Sequence, residues 1–370
     1  MVGGGQLARM TAAAAIGLGA MFRVLATSES ESAALVTHDV TVGSHLSLAD
    51  LSKFAALCDV ITFDHEHVPT AYLEDLAAAG TLVRPGPAAL RYTQDKLAMR
   101  TRLAEMGVPV PRFAAVSSAA DVTGFTQDRW PVVLKAISGG YDGKGVWVVR
   151  SAAEAAEVLS HGVAMMAEEF VPFRRELAAQ VARSAAGQGA AYPVVETVQV
   201  DGICREVIAP APGLPADLAI EAQELALRIA SSLDVTGLLA VELFETSRGL
   251  LVNELAMRPH NSGHWTIDGA VTSQFEQHLR AVLDLPLGAP AASVPGGYTV
   301  MSNLLGGRDP DVYDRYIHVM AADPGVKVHF YGKEVRPGRK IGHVTALGDD
   351  VAAARATAWR AARILEGEAA

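Results

Sequence analysis

The sequence is poor in cysteine and in positive charge. Only Cys58 and Cys204 occur among its 370 residues, far apart and without the spacing of a metal site. This scarcity excludes a disulfide-stabilised scaffold and favours a reduced, cytoplasmic setting. The formal net charge of -10 argues against general binding of nucleic acid or of a membrane surface. A local basic site for an anionic ligand remains open.

The chain also lacks a hydrophobic run long enough to cross a membrane. Its nearest approach, residues 10–22, has about a dozen apolar residues, whereas a spanning helix needs about 20. A signal peptide is the alternative interpretation. Residues 3–6 (GGGQ) before this alanine-rich run are typical of the strand, turn and helix that open a nucleotide-type fold. Because Met1 and Val2 leave little of that strand, we expect the numbered start to omit part of it.

With 370 residues and 50% hydrophobic content, the chain can form two or three domains. The order of its strand and helix patterns predicts that they are of α/β and α+β type. Short apolar runs alternate with helical patterns up to about residue 90, which predicts βαβ units around a mostly parallel sheet. Hairpins and short helices follow. We predict domains at 1–112, 113–183 and 184–370.

Two glutamates interrupt apolar rows in the predicted hairpin around Thr246 and Gly249. Glu242 should share its strand face with Leu238, Ala240 and Phe244, and Glu254 with Leu250, Val252 and Ala256. A hairpin would set the two carboxylates opposite each other, where they could share cations. Mg2+ prefers oxygen ligands and keeps substrate phosphates, so this pair indicates a nucleotide site. A solvated acidic hairpin face is the alternative.

A lysine and a glycine loop occur together in the second domain. Lys135 lies in the predicted strand PVVLKAI, where it either reaches a domain edge or meets an anion. Residues 139–145 (GGYDGKG) and then a second strand follow, which predicts a hairpin flap. A phosphate-binding P-loop would lead into a helix instead. Glycine allows backbone NH groups to approach phosphate closely.

Basic and polar residues cluster further along the chain. Four basic residues fall within eight positions: Lys333, Arg336, Arg339 and Lys340. The Pro-Gly turn among them could bring several of these side chains together on one phosphate. A solvated basic loop is the alternative. A polar group follows the second glutamate strand: Arg258, His260, Asn261, Ser262 and His264. His264 and His343 could equally be core histidines.

Together these residues resemble the ATP-grasp superfamily, and four strings narrow the resemblance to the carboxyaminoimidazole ribonucleotide synthetase family, in its actinobacterial form. The strings are GGGQLARM, GGYDGKG, NELAMRPHNSGHWT and GKEVRPGRKIGH. The resemblance covers essentially the whole chain. It implies a Rossmann-like pre-ATP-grasp domain, a small flap-bearing domain and a larger domain with a C-terminal substrate-binding part.

The resemblance also implies roles for individual residues. It implies ATP binding by Lys96, Lys135, Gly140, Tyr141, Asp142, Gly143, Lys144, Gly145, Val146, the hinge Glu168, Glu169, Phe170 and Val171, the ribose partner Glu176, Gln199, Asn253 and Glu254. Metal binding is implied for Glu242 and Glu254, and catalytic roles for Lys135, Tyr141, Asp142, Arg258, Asn261 and His264. Substrate binding is implied for Gly5, Gln6, Asp64, Glu66, Tyr141, Lys333, Arg336, Arg339 and Lys340. Gln199 stands where relatives often have histidine, and Asp64 where many have glutamate.

The activity that the resemblance implies is ATP-dependent carboxylation of 5-aminoimidazole ribonucleotide by bicarbonate in purine biosynthesis. ADP and phosphate would be released, carboxyphosphate would be the intermediate, and Mg2+, with Mn2+ as a substitute, would be the metal. A cytoplasmic homodimer that binds neither nucleic acid nor membranes is expected. Two alternatives stay open: an ATP-grasp ligase that uses formate or another acid with a different phosphorylated amine, and a non-catalytic nucleotide-binding relative.

Overall fold

The computed structural model describes residues 1–127, 129–140 and 144–368. Its first unit is a parallel arrangement, as predicted: β1 pairs with β2, and Val2 makes parallel bridges to Leu25 and Phe63. Helix connections follow Val2 and β2, since α1 leads from Val2 to β1 and α2 leads from β2 to Phe63, whereas residues 27–39 join β1 to β2 without a helix. The predicted parallel strands and intervening helices are confirmed, apart from this one connection. The elements of this unit are α1 (Gln6–Leu18), β1 (Val24–Ala26), β2 (Val40–Val42), α2 (Leu48–Ala55), α3 (Thr70–Ala78), α4 (Pro87–Gln94) and α5 (Lys96–Glu105).

Most of the apolar run at residues 10–22, for which a signal peptide was the alternative interpretation, lies in α1, which packs against a helix of the third unit. One face of α1 is buried, with Leu7, Ala8, Thr11, Ala12 and Ala15 at helical spacing. No helix within the described part of the chain is long and apolar enough to span a bilayer.

The second unit is a four-stranded antiparallel sheet in the order β3, β6, β4, β5. Its helices begin at Ser118 and Ser151, whose hydroxyls accept hydrogen bonds from backbone NH groups three residues later. The elements are β3 (Phe113–Val116), α6 (Ala119–Thr126), β4 (Val132–Ala136), β5 (Val146–Val149), α7 (Ala152–Leu159) and β6 (Met165–Glu169).

The third unit is built on a nine-stranded sheet. Its main order is β12, β11, β7, β9, β10, β13, β15, β14, and β8 pairs with β7. The elements are β7 (Arg175–Arg183), β8 (Gly189–Ala191), β9 (Val195–Val200), β10 (Ile203–Ala209), α8 (Ala216–Ser232), β11 (Gly237–Thr246), β12 (Gly249–Ala256), α9 (Thr266–Gly269), α10 (Gln274–Val282), β13 (Tyr298–Leu305), α11 (Tyr316–Ala322), β14 (Lys327–Phe330), β15 (Lys340–Gly348) and α12 (Val351–Glu366).

The predicted boundary at residue 183 cuts through this large sheet. Strand β7 pairs along its length with β11 and also pairs with β9, so its partners lie in the third unit. The sheet of the second unit ends at Glu169. The sequence grouped β7 with the preceding hairpins because both share β-type patterns, and pairing partners cannot be predicted from such patterns.

One hydrophobic core joins the first and third units. It contains Val2, Phe54 and Phe63 from the first unit together with Leu239 and Val252 from the large sheet. Continuous apolar burial of this kind resists sliding between the two units. Strands β11 and β12, which carry Glu242 and Glu254, are therefore held on a packed base.

Candidate active site

A cavity of about 800 Å3 lies where the three units meet. Its wall combines apolar side chains with convergent charged and polar groups, as ligand cavities usually do. Most of the residues predicted to be functional line it: Gln6, Asp64, Glu66, Lys96, Lys135, Gly140, Val146, Glu168, Glu169, Phe170, Val171, Glu176, Gln199, Glu242, Asn253, Glu254, Arg258, Asn261, His264 and Lys340.

The two glutamates are direct cross-strand partners. Strands β11 and β12 pair antiparallel with Glu242 opposite Glu254, so the predicted hairpin and its register are confirmed. Directly opposed residues of an antiparallel pair project on the same side of the sheet. Both carboxylates accordingly line the cavity.

Two predicted neighbours of Glu254, Leu250 and Val252, were wrong because strict alternation fails on β12, whereas the third, Ala256, lines the cavity with it. The register shifts by one residue between the pairs Glu242–Glu254 and Leu243–Val252, which leaves Asn253 as a bulge. Val252 therefore belongs to the core, as Leu250 does, while Glu254 lines the cavity. The bulge places Asn253 and Glu254 on the cavity together, an arrangement that unbroken alternation forbids.

Like charge and burial act together on the glutamate pair. The pKa of Glu242 is raised to about 7, mainly by burial and then by the carboxylates of Glu254 and Glu176. Its nearest partners are weak ones: the amide of Asn253 at 3.4 Å and the imidazole of His260 at 3.7 Å. A buried carboxylate with partners this weak, opposite a second carboxylate, suits a divalent cation.

Two lysines reach the same wall from different units. Lys96 begins α5 and pairs with a carboxylate oxygen of Glu254. The Lys135 ammonium on β4 lies 2.6 Å from Glu168 and donates to the Asn253 side-chain oxygen at 3.1 Å. Burial lowers the pKa of Lys135, and Glu168 opposes this effect. Positive charge is thus held directly beside the glutamate pair.

The predicted strand, loop and strand arrangement of the flap is confirmed. β4 and β5 pair antiparallel on either side of the loop. A side chain on Gly140 would place its Cβ 2.7 Å from the Lys144 carbonyl oxygen, and Gly145 has a φ of +77°, so both positions need glycine. Tyr141, Asp142 and Gly143 lie outside the described residues. Lys144 and Gly145 are described, but neither lines the cavity.

The predicted hinge leads from β6 towards β7 along the cavity wall. Glu168 is buried, whereas Phe170 is 46% exposed. Glu176 on β7 and Gln199 on β9 also face the cavity. Burial raises the pKa of Glu176 to about 7. A carboxyl group of this kind is available to hydrogen-bond a ligand hydroxyl.

The acidic pair of the first unit makes contacts that stabilise the fold. Asp64 accepts hydrogen bonds from the NH groups of Gly5 at 2.6 Å and Ala8 at 2.9 Å, which caps the start of α1. Glu66 accepts a hydrogen bond from the Met257 NH at 2.7 Å. Both carboxylates line the cavity, and each has these partners in addition.

The structure does not bring the four cations of the basic string together. Lys340 lines the cavity, and Lys333 contacts Gln6, which lines it too. Arg336 pairs with Glu334, and Arg339 donates to the Glu334 carbonyl oxygen. Among the residues that the structure describes, Arg336 and Arg339 are outside the cavity lining. Strand β15 begins at Lys340, so both arginines lie on the exposed loop before it and the structure does not place them with the lysines at the cavity.

The polar group after β12 also lines the cavity. Asn261 has a buried side-chain nitrogen without a hydrogen-bond partner among the described residues, so it can donate to a ligand. His264 is buried, and its Nδ1 accepts a hydrogen bond from Gln274 at 2.8 Å. Burial holds its pKa well below the ordinary value, so the ring is neutral. His264 is therefore both a core histidine and part of the cavity wall, whereas His343 is packed behind it.

Two features of the site escaped the sequence analysis. Arg100 is 1% exposed and contacts Glu168, and a signal for it existed: Lys96, Met99, Arg100 and Leu103 are the buried stripe of α5. The second feature is the apolar wall, which includes Val133, Val148, Phe173, Phe244 and Leu255. In the sequence, such side chains cannot be distinguished from other apolar strand or loop residues, because only the folded structure shows the cavity.

Comparisons with known proteins agree with this geometry. A model of the ATP-grasp domain matches residues 101–275, and a model of the ribonucleotide synthetase preATP-grasp domain matches residues 1–94. The phosphoribosylaminoimidazole carboxylase C-terminal domain matches residues 299–357. The fold and the cavity therefore define an ATP-grasp protein.

Relatives of known name narrow the class. The chain is 59% identical to N5-carboxyaminoimidazole ribonucleotide synthase of Mycobacterium tuberculosis, over 95% of this chain and 84% of the relative. The synthetase structure from Thermus thermophilus matches with a TM-score of 0.88 at 39% identity and covers 98% of both chains. The synthase of Aspergillus clavatus, solved with ADP and 5-aminoimidazole ribonucleotide, matches with a TM-score of 0.88 at 30% identity, covering 99% of this chain and 98% of that one.

The chain belongs to the N5-carboxyaminoimidazole ribonucleotide synthase family, whose members are ATP-grasp ligases of purine biosynthesis. The resemblance found in the sequence is thereby confirmed, as is the predicted fold class.

Proposed function

We propose that this protein uses ATP to carboxylate 5-aminoimidazole ribonucleotide with bicarbonate, and that the roles of its residues follow from their places in the cavity. One observation carries the proposal: the paired carboxylates Glu242 and Glu254 face Lys96 and Lys135 across one cavity wall. An acidic pair beside two ammonium groups suits a triphosphate that arrives with its metal.

The donor set fits Mg2+, with Mn2+ as a substitute. Glu242 and Glu254 would hold the metal, since carboxylate oxygens are its preferred protein ligands. Among the described residues no group of three or more His, Cys, Asp or Glu side chains could hold a metal alone. This agrees with an ion that keeps phosphate oxygens and water as further ligands. When bound, the metal neutralises charge on the transferring phosphoryl group.

The protein groups supply position and exclude water. Lys96 and Lys135 would hold the phosphates, the hinge at 168–171 and the apolar wall would hold the base, and Glu176 would bond the ribose. A bicarbonate oxygen then attacks the γ-phosphorus, and the bond from that phosphorus to the ADP oxygen breaks. The substrate amine attacks the carboxyl carbon of carboxyphosphate, and phosphate leaves. The hairpin of β4 and β5 would close over this water-sensitive intermediate.

The end of the cavity at Lys340 and Asn261 suits the ribonucleotide and the carboxyl donor. Lys340 brings a cation to it, and the unpartnered Asn261 nitrogen can donate to a carboxylate or phosphate oxygen. Gln6, the first residue of α1, is contacted by Lys333. These two side chains would hold the substrate. We place the amine between this end and the glutamate pair.

An ADP-release assay tests the proposed reaction. We expect release to require both bicarbonate and 5-aminoimidazole ribonucleotide. Turnover with formate and glycinamide ribonucleotide instead would favour the sister ligase. A protein that binds ATP without turnover under any of these conditions would be the non-catalytic relative.

We also propose a cytoplasmic homodimer. Both cysteines are free thiols, as a reducing compartment requires. Sedimentation equilibrium at micromolar concentration would distinguish a monomer from a dimer.

A further inference from the structure

The Glu168 carboxylate is shared by two buried cations. One oxygen accepts the Nε of Arg100, and the other lies 2.6 Å from the Lys135 ammonium. The side chains of Arg100 and Glu168 are only 1% and 3% exposed. Charges this deep are stable only when they are paired and hydrogen-bonded.

Arg100 also reaches the strand that bears the metal residues. Its Nη2 donates to the Asn253 carbonyl oxygen at 2.5 Å. Asn253 is the bulged residue of the edge strand β12, and this hydrogen bond gives its carbonyl oxygen a buried, charged partner. Lys135 donates to the side-chain oxygen of the same residue. Arg100 thus joins α5, β6 and β12 around Lys135.

The charges in this cluster do not cancel. Arg100 and Lys135 are positive and Glu168 is negative, so the three groups together carry one net positive charge. If Glu168 faced Lys135 alone, the pair would be neutral and the ammonium would be held by its own carboxylate. Because Arg100 takes one carboxylate oxygen, Lys135 keeps attraction for an anion in the cavity.

We propose that Arg100 is a positioning residue: it orients Glu168 and shares its charge, so that Lys135 stays beside Asn253 with its charge available to the ATP phosphates. This inference rests on the proposed phosphate-binding role of Lys135. Arg100 does not line the cavity, which separates its role from that of a residue that touches ATP.

The chain offers a matched control at a distance from the site. Glu206 is fully buried and is bound by Arg355, whose Nη2 lies 2.7 Å from it. Neither residue lines the cavity. Arg355→Met would therefore leave a buried glutamate without its arginine, as Arg100→Met does, but away from Lys135.

The test compares Arg100→Met, Arg100→Lys, Arg355→Met and Lys135→Met by thermal unfolding, binding of a nonhydrolysable ATP analogue and steady-state kinetics. For Arg100→Met we expect the analogue Kd to rise about tenfold and kcat/KM for ATP to fall roughly 100-fold. The KM for the ribonucleotide should not change. Arg100→Lys keeps the charge but loses the hydrogen bond from Nη2 to the Asn253 carbonyl oxygen, so it should recover most of the affinity for the analogue. Arg355→Met should lower the unfolding midpoint and leave the analogue Kd unchanged.

Two results separate failure of this inference from failure of the proposed function. If Lys135→Met weakens the analogue but Arg100→Met leaves its Kd within about twofold, Arg100 has no positioning role. If Lys135→Met itself binds the analogue normally, the proposed phosphate role of Lys135 is wrong. Should Arg100→Met fail to fold, Arg100→Gln, which also removes the charge, replaces it in the same measurements. Equal loss of ATP and ribonucleotide affinity in these variants would overturn the inference.

Discussion

Glu242 and Glu254 face each other across β11 and β12, and the bulge at Asn253 is what turns the second of them towards the cavity. Their strands, β11 and β12, pack on the core that joins the first and third units. Substitutions here should therefore alter chemistry more than folding.

The first prediction concerns Glu254→Gln. The amide keeps the size of the side chain but removes the charge that would hold the metal, so ADP release should fall by roughly 100-fold or more. Thermal unfolding should stay close to that of the parent protein. Residual turnover within about tenfold of the parent would argue against the metal assignment.

The second prediction uses two neighbouring cations of the basic string. Lys340 lines the cavity, whereas Arg339 is on the exposed loop, so Lys340→Met should raise the KM for the ribonucleotide about tenfold. Arg339→Ala serves as the control and should change it less than about twofold. Steady-state kinetics with saturating ATP measures both. A larger effect at Arg339 would restore the convergence predicted from the sequence.

The third prediction concerns Glu176, the proposed ribose partner. Glu176→Ala should raise the KM for ATP by about tenfold, since it removes one hydrogen bond to a ligand hydroxyl. The KM for the ribonucleotide should be unaffected. As a check on the assigned group, 2′,3′-dideoxy-ATP should bind the parent and the variant equally well. The assignment would be contradicted if the variant, like the parent, still bound ATP more tightly than 2′,3′-dideoxy-ATP.

The fourth prediction is a pH effect on stability, away from the cavity. His278 is fully buried: its Nδ1 accepts the Leu238 NH at 3.3 Å, and its Nε2 lies 2.7 Å from the Thr62 hydroxyl. Burial lowers its pKa to about 3 from an ordinary value of 6.5. Between these values the unfolded chain takes up a proton that the folded chain does not. The free energy of unfolding should therefore fall as the pH falls below 6.5.

His278→Asn separates this effect from other buried groups. Its amide oxygen can replace Nδ1 as the acceptor, but it does not titrate. Between about pH 7 and pH 5 the variant should lose about 2 kcal/mol less stability than the parent, measured by urea unfolding. Parallel losses in the two proteins would show that His278 is not a source of the pH dependence.

The sequence alone determined the family, the pairing of Glu242 with Glu254 and most of the cavity residues. Glycine positions, charged residues inside apolar rows and long specific strings are local features, so a single chain displays them directly. The parallel strands and helices of the first unit were predictable for the same reason, because the spacing of hydrophobic residues in each segment is visible in the sequence.

Only the tertiary structure decided which sheet receives β7, which cations of the basic string reach the cavity, and how Glu254 faces it. Strand pairing depends on partners far apart in the chain, and a bulge reverses the face of every residue beyond it. The place of Arg100 was decided in the same way. A buried arginine is stable only because a glutamate 68 residues away and a carbonyl 153 residues away meet it in space.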